Sequence, residues 1–290
     1  MPASQIAALI NTLPSFPVSV QRVIQEINSP RSSAESVAVA LELDPPLVAC
    51  VLRVANSGFY GRTKVSSPQA AVTRVGLQEV RGLATSAALR DILDTGGAEE
   101  IERLYVLALA SALVVSRIAR RSSVVDTTNA SSAFFTAALL HDIGLFALFS
   151  FSPGSARRSI EQARTQKVPL SDVERTIVGF PHTELGATLL QRWHLSDVEI
   201  EACRWHHAPG SAPQLRQTPA ALIHIADYLV LDLVGDVQFT VLAPALLPEA
   251  LAALRLTAED VDRLRVEVTP CVEHATSVAG ELRPATKRAR

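Results

Sequence analysis

The sequence predicts an all-α protein, and three observations carry that expectation. Leu, Ala and Val recur at three- and four-residue spacings through most of the 290 residues, which places apolar side chains on one face of a helix. Segment starts carry Ser or Asp followed by Pro, a helix N-cap and then a residue whose missing N–H costs nothing in the first turn. No period-two alternation extends beyond a few residues, so a sheet has no strands to build from.

The elements follow in order. Ser32 or Ser33 caps a helix running to about Leu41. Asp44-Pro45-Pro46 caps the next, LVACVLRVA, which ends at the turn signal Asn56-Ser57-Gly58. Ser67-Pro68 repeats the device, and Gly76 stops that helix where a positive φ is useful. Residues 78–93 resume as helix, with Val80, Leu83, Ala84, Ala87 and Ala88 on one face. The short polar segment DTGGAEE, residues 94–100, reads as a joint between two packed halves. A mostly apolar helix over about 101–121 ends in Arg117, Arg120 and Arg121, which complement the negative end of its dipole. One helix is expected over about 130–149, then others at about 155–166, 170–178, 182–193, 197–207 and 218–234, with one or two more in 249–280. The expected division is 1–97, 98–282, and a basic, disordered tail RPATKRAR over 283–290.

Composition narrows the class. A 48% hydrophobic content supports a sizeable core and argues against global disorder. Aromatics are only 5% and the net charge is −2, so neither base stacking nor a general pull toward nucleic acid or anionic membrane is advertised. Cys50, Cys203 and Cys271 form no CxxC pair, which suits a reducing compartment. The N-terminus lacks a basic leader before an apolar core, and no uninterrupted apolar stretch of about 18 residues occurs. The expected setting is the cytoplasm, with no membrane partner.

The chemistry concentrates in the second half. Within FFTAALLHDIGLFALF, residues 134–149, His141 and Asp142 stand side by side in an apolar run. An unpaired buried charge is expensive, so the pair must bind something, pair internally or reach solvent. His182, His206, His207 and Asp227 lie in similar apolar helical contexts. Imidazoles with carboxylates suit Zn, Mn or Fe without selecting one. Each residue taken singly is an ordinary core polar group or cap, and His194, His224 and His274 are assigned to that class.

The order His-Asp, His, His-His, Asp on successive helices resembles the HD superfamily of metal-dependent phosphohydrolases. The whole layout is more similar to the HDOD domain, a signalling branch of that superfamily. The matching pieces are LPSFPVSVQRVI, VALELDPPLVACVLRVANSGFYG and SSPQAAVTRVGLQEVRGLA, then AALLHDIGLFAL, HTELGATLLQRWHLSDVEIEACRWHHAP and IHIADYLV. The resemblance implies an N-terminal helical subdomain packed on a degenerate HD-like helical bundle. Active HD enzymes draw a further metal ligand from a histidine on an earlier helix. Here that helix aligns as IERLYVLALASALVVSRIA, with Tyr105 at the usual aromatic and Leu107 at the ligand position, and no histidine precedes His141. Relatives with a GYP motif carry lysine where Leu145 stands, and no GYP follows His206-His207.

The resemblance with its missing ligand implies a non-catalytic signal-transduction module acting through contacts with other signalling proteins. No catalytic residue and no cofactor are expected, and His141, Asp142 and their neighbours are expected to form a metal-free hydrogen-bonded network. The alternative is a weakly bound divalent transition metal (Mn, Fe or Zn) on His141, Asp142, His182, His206, His207 and Asp227, and with it hydrolysis of a nucleotide or cyclic nucleotide. A turn at Asn56, Phe59 and Tyr60 is a candidate partner-binding surface. A weaker alternative is a nucleic-acid binder using PQAAVTRVGLQEVRGLA as a helix-turn-helix with Arg74, Arg81 and Arg90 nearby, diluted by Glu79 and Asp91.

Overall fold

In the computed structural model the chain runs from helix to helix, with no strand among the described residues, which are 17–58, 60–61, 63–93, 98–125, 131–234 and 245–281. The first five helices are α1 (Val18–Ile27), α2 (Ala34–Leu41), α3 (Pro45–Ala55), α4 (Pro68–Val75) and α5 (Leu77–Leu93). Their starts are set by the caps that the sequence announces. Ser33 and Ser36 bond reciprocally, each hydroxyl accepting the other's backbone N–H at 3.1 and 3.0 Å. Asp44 accepts the Leu47 N–H at 3.1 Å, and its second oxygen takes the Ser19 hydroxyl at 2.7 Å, tying α1 to the start of α3. Ser67 accepts the Ala70 N–H at 3.2 Å. Between α4 and α5 the chain turns at Gly76 with φ 102°, a conformation that strains any residue with a Cβ. Val23, Val37, Leu41, Val51, Val72, Val80 and Leu83 of these helices are buried together. Helix α1 packs on α2 and α5, α2 on α4, and α3 on α4 and α5.

The remaining helices are α6 (Ala98–Arg121), α7 (Ser131–Leu140), α8 (Ile143–Phe151), α9 (Pro153–Gln166), α10 (Leu170–Ile177), α11 (His182–Arg192), α12 (Asp197–Trp205), α13 (Gln217–Val234), α14 (Pro248–Leu254) and α15 (Ala258–Glu281). Helix α6 is the axis of this part, packed on α7, α13 and α15. Leu107 is buried on it. Helix α5 packs on α7 and so joins the N-terminal helices to the rest. Residues 94–97 of the expected joint, and the 283–290 tail, lie outside the described residues.

One expectation is corrected. The apolar run over 130–149 is not a single helix: α7 stops at Leu140 and α8 starts at Ile143. The His141 side chain supplies a reason, since its Nδ1–H donates to the Ala138 carbonyl at 2.7 Å. Asp142 then leaves the helical region at φ −99°, ψ 17°. The hydrophobic pattern runs through the break because both helices are core elements. The stretch Ala133–Phe151 has the length and mean hydropathy (1.7) of a membrane span, yet 83% of it is buried inside the fold.

Candidate metal centre

Two break points and two glycines build the site. His141 and Asp142 occupy the turn between α7 and α8, and His206 and His207 come directly after the last residue of α12. His182 opens α11, and Asp227 projects from the middle of α13. Helices α8 and α11 cross at Gly144 and Gly186. A Cβ on Gly144 would collide with the His182 carbonyl, and one on Gly186 would lie 2.6 Å from Cys203 Sγ and 3.0 Å from the Gly144 nitrogen. Only glycine at both positions lets α8 approach α11 so closely, and that approach carries Asp142 to His182.

The structure gathers all six residues that the sequence singles out. Asp142 Oδ1 lies 3.5 Å from His182 Nε2 and 3.4 Å from His206 Nε2. Asp142 Oδ2 lies 3.4 Å from His141 Nε2, which is itself 3.6 Å from Asp227 Oδ1. His182 Nε2 and His207 Nε2 are 3.2 Å apart. The donors fall into two overlapping sets, Asp142–His182–His206–His207 and His141–Asp142–Asp227, each spanning at most 4.8 Å between its ligand atoms. Asp142 belongs to both and offers one oxygen to each side.

Three of the imidazoles are fixed from behind. His141 Nδ1 faces the Ala138 carbonyl at 2.7 Å, His206 Nδ1 the Cys203 carbonyl at 2.8 Å, and His182 Nδ1 the Glu174 carboxylate at 2.7 Å. With Nδ1 donating, the Nε2 lone pair of each ring points into the centre, the arrangement in which metal-ligating histidines are held. Glu174 Oε2 also accepts the His182 backbone N–H at 2.8 Å. His224, read from sequence as a satisfied core residue, is one, and it presents Nδ1 to the His206 carbonyl at 2.8 Å, so it also steadies a candidate ligand.

Hydrogen bonding among these atoms is partial: His182 Nε2 and His207 Nε2 are within bonding distance at 3.2 Å, whereas three atoms at the centre are not bonded. His141 Nε2, His206 Nε2 and Asp142 Oδ1 are buried without a hydrogen-bond partner. Charge-assisted bonds close at about 2.7–2.9 Å, and the separations here are 3.4–3.6 Å. They match a different geometry. Metal–ligand bonds of about 2.1 Å place tetrahedral ligands ~3.4 Å apart and octahedral neighbours ~3.0 Å apart. The 3.4–3.6 Å separations are of the size found between ligands of a small divalent cation.

Without an ion the electrostatics favour a proton on His141 and on His182, which a bound cation would displace to reach either Nε2 lone pair. Burial disfavours a charge on His141, but the Asp142 and Asp227 carboxylates outweigh it and raise its pKa. Burial likewise disfavours the Asp142 carboxylate, and the surrounding imidazoles of His141, His206 and His182 hold its pKa well below the usual range. His207 is pushed well down by burial and by the neighbouring His206 and His182 rings, which keeps it a neutral donor. His207 also lines a cavity of about 710 Å³ whose wall includes Ala163, Lys167, Leu170, His224 and Leu247.

The other candidates are placed elsewhere. Asn56 clamps the loop after α3, its amide donating to the Val65 carbonyl and accepting the Val65 N–H, both at 2.7 Å. Tyr60 is half-buried against the core, and burial, with Glu79 and Cys271 nearby, pushes its hydroxyl pKa up. Phe59 lies outside the described residues. Of the helix-turn-helix arginines, Arg74 is bonded to the Ala55 and Thr63 carbonyls at 3.2 and 2.5 Å, and Arg81 is buried in an ion pair with Glu199. The Arg90 side chain is outside the described set. Glu174 carries no sequence signal of this role, since LSDVERTI has the spacing of an amphipathic helix on which a lone Glu is ordinary.

Comparison with known proteins gives the same fold. The sequence profile described as the HDOD domain matches residues 13–209. An HDOD domain protein of unknown function from Geobacter sulfurreducens superposes with a TM-score of 0.75 at 23% identity, covering 98% of this chain and 99% of that one. A Shewanella amazonensis protein, provisionally named a phosphohydrolase, gives 0.76 at 20% identity over 97% and 98% of the two chains. A Marinobacter aquaeolei protein, provisionally named for signal transduction, gives 0.77 at 20% identity over 97% of this chain and 65% of its own. An uncharacterised Treponema pallidum protein is 24% identical over 246 residues, and the chain spans about half of its length, 47%.

Proposed function

Because this chain belongs to the HDOD domain family, we propose that it is a signal-transduction module without hydrolytic turnover, whose His–Asp centre holds a divalent transition metal. The observation that carries the metal is that buried His141 Nε2 and His206 Nε2, neither with a hydrogen-bond partner, face the two Asp142 oxygens at ligand spacing, 3.4 Å each. His141, Asp142 and Asp227 would hold one side of the centre, and His182, His206 and His207 the other, with Asp142 shared. A divalent ion supplies Lewis acidity and a means of ionising water. The chain's own residues do the rest: Glu174, Ala138 and Cys203 fix the tautomers, and Gly144 and Gly186 set the spacing.

Leu107 and the burial of the centre both count against turnover. Hydrocarbon stands where the family resemblance calls for a further imidazole, and one of about four ligands is worth, crudely, ~3 kcal/mol of a 10–16 kcal/mol site. His141, His182 and His206 are each at most 1% exposed. Output then passes through protein contacts. A second reading, phosphohydrolysis, is favoured by one feature: the 710 Å³ cavity reaches His207, so a small molecule could lie against the centre.

Metal analysis of the purified chain, with manganese, iron and zinc titrations and a phosphodiesterase assay after loading, tests both readings. Metal bound by the wild type, lost in Asp142→Ala, with no turnover, supports the module. Turnover abolished by the same substitution establishes the hydrolase. A chain that takes up no metal removes the centre.

A further inference from the structure

We infer that Arg81 is a positioning residue for the metal centre and that, through it, metal occupancy is linked to the docking of the N-terminal helices; the inference rests on the metal reading above. Arg81 sits on α5, 118 residues from its partner Glu199 on α12. Their side chains are 10% and 0% exposed, so the pair is buried. The other Glu199 oxygen accepts the Ser196 backbone N–H at 2.7 Å and the Ser196 hydroxyl at 2.6 Å. One carboxylate thus fixes the start of α12 and binds it to α5. His206 and His207 directly follow the same helix, seven and eight residues on from Glu199.

The next residue of α5 engages the other ligand-bearing helix. A Cβ on Gly82 would lie 3.1 Å from both Phe135 Cδ1 and Thr136 Oγ1 of α7. Helix α7 runs directly into His141-Asp142. Arg81 and Gly82 therefore hold, side by side, the two helices that the paired candidate ligands directly follow. The ring separations across that gap are short: the His141 and His206 centroids are 4.9 Å apart. Asp142, just after α7, and His206, just after α12, belong to one donor set and lie 3.4 Å apart, so an ion drawn onto both fixes α7 against α12, which is the surface that α5 grips. Linkage is reciprocal, so an ion that favours the docked arrangement is bound more tightly when α5 is docked. Breaking a buried pair from one side leaves an uncompensated charge, whereas replacing both partners with apolar residues does not. This separates coupling from mere stability.

The experiment uses the full chain. Manganese affinity is measured by chelator competition, and amide exchange of residues 77–85 is followed with and without the metal, for the wild type, Arg81→Met, Arg81→Lys and the double variant Arg81→Met/Glu199→Met. We expect metal to slow exchange in α5 of the wild type. Couplings of this kind span roughly 5–150-fold, and affinity should fall within that range in Arg81→Met. The double variant should show the same fall with its folding retained, and metal should no longer alter α5 exchange in either. Arg81→Lys, charged but without the planar fork, should fall between. Unchanged α5 exchange on metal binding by the wild type overturns the coupling, as does wild-type affinity in the double variant. If the wild type binds no metal, the metal reading fails and the linkage with it.

Discussion

Replacing Glu174 by glutamine isolates the support behind a single candidate ligand. Glu174 is buried, and one of its oxygens accepts both the Nδ1–H and the backbone N–H of His182, at 2.7 and 2.8 Å. Glutamine keeps an acceptor oxygen of the same reach but removes the charge. Hydrogen bonds to charged groups contribute about 1.5–3 kcal/mol and neutral ones about 0.5–1.5. The two bonds together therefore lose about 2–3 kcal/mol. The same substitution lets the ring rotate and lowers the basicity of its Nε2, and outer partners of this kind are worth about 10–100-fold in metal affinity. Urea unfolding of the metal-free chain reads the first quantity, and chelator competition reads the second. If Glu174→Gln unfolds at the wild-type urea concentration and binds manganese within twofold of the wild type, His182 is oriented by packing and the argument from its carboxylate is wrong.

Other perturbations probe the frame around it. Gly144→Ala would stabilise an unconstrained helix by about 0.8–1 kcal/mol; here the methyl meets the His182 carbonyl, so a loss of about 1–3 kcal/mol is expected in urea unfolding, together with weaker metal binding. Leu107→His should raise metal affinity by about a hundredfold, ~3 kcal/mol, if that position is where the missing ligand belongs; an unchanged titration places it elsewhere. Arg157 Nε donates to Glu100 at 2.6 Å, and this bond with its charge holds the Glu100 carboxyl below its usual range. Its folded pKa lies below the unfolded value of about 4.3, so the pair's contribution is present above that pH and is lost as pH falls through the folded value. Arg157→Gln should be the less stable protein at pH 7, with the gap closing in acid; a pH-independent gap in urea midpoints would rule out the ion pair as its source.

Much of the fold is legible locally. Ser33, Asp44 and Ser67 announce helices because capping is a short-range contest between a side chain and the first free N–H groups. The six donors are legible as residue types out of place in apolar helices, and the fold brings His141, Asp142, His182, His206, His207 and Asp227 into two sets that share Asp142. The break at His141-Asp142 is not legible, since apolar periodicity reports burial and both flanking helices are buried. Glu174 and the Gly144–Gly186 crossing are hidden for a related reason. Their meaning comes from what lies opposite, residues 8 and 42 positions away in the chain. How far the polar network closes depends on distances, which no sequence states.

In an unbroken helix, successive residues point about 100° apart, so neighbours cannot serve one centre. His141 and Asp142 do so because helical geometry lapses after Leu140 and resumes only at Ile143. Any substitution that restores continuity there would swing one group away while leaving its neighbour in the sequence untouched. Alanine at 142, a strong helix former, removes a carboxylate and invites that repair together. Asparagine, which keeps the shape and disfavours continuation, separates the two effects, and a difference between the two variants would measure how much of the site is chemistry and how much is the bend.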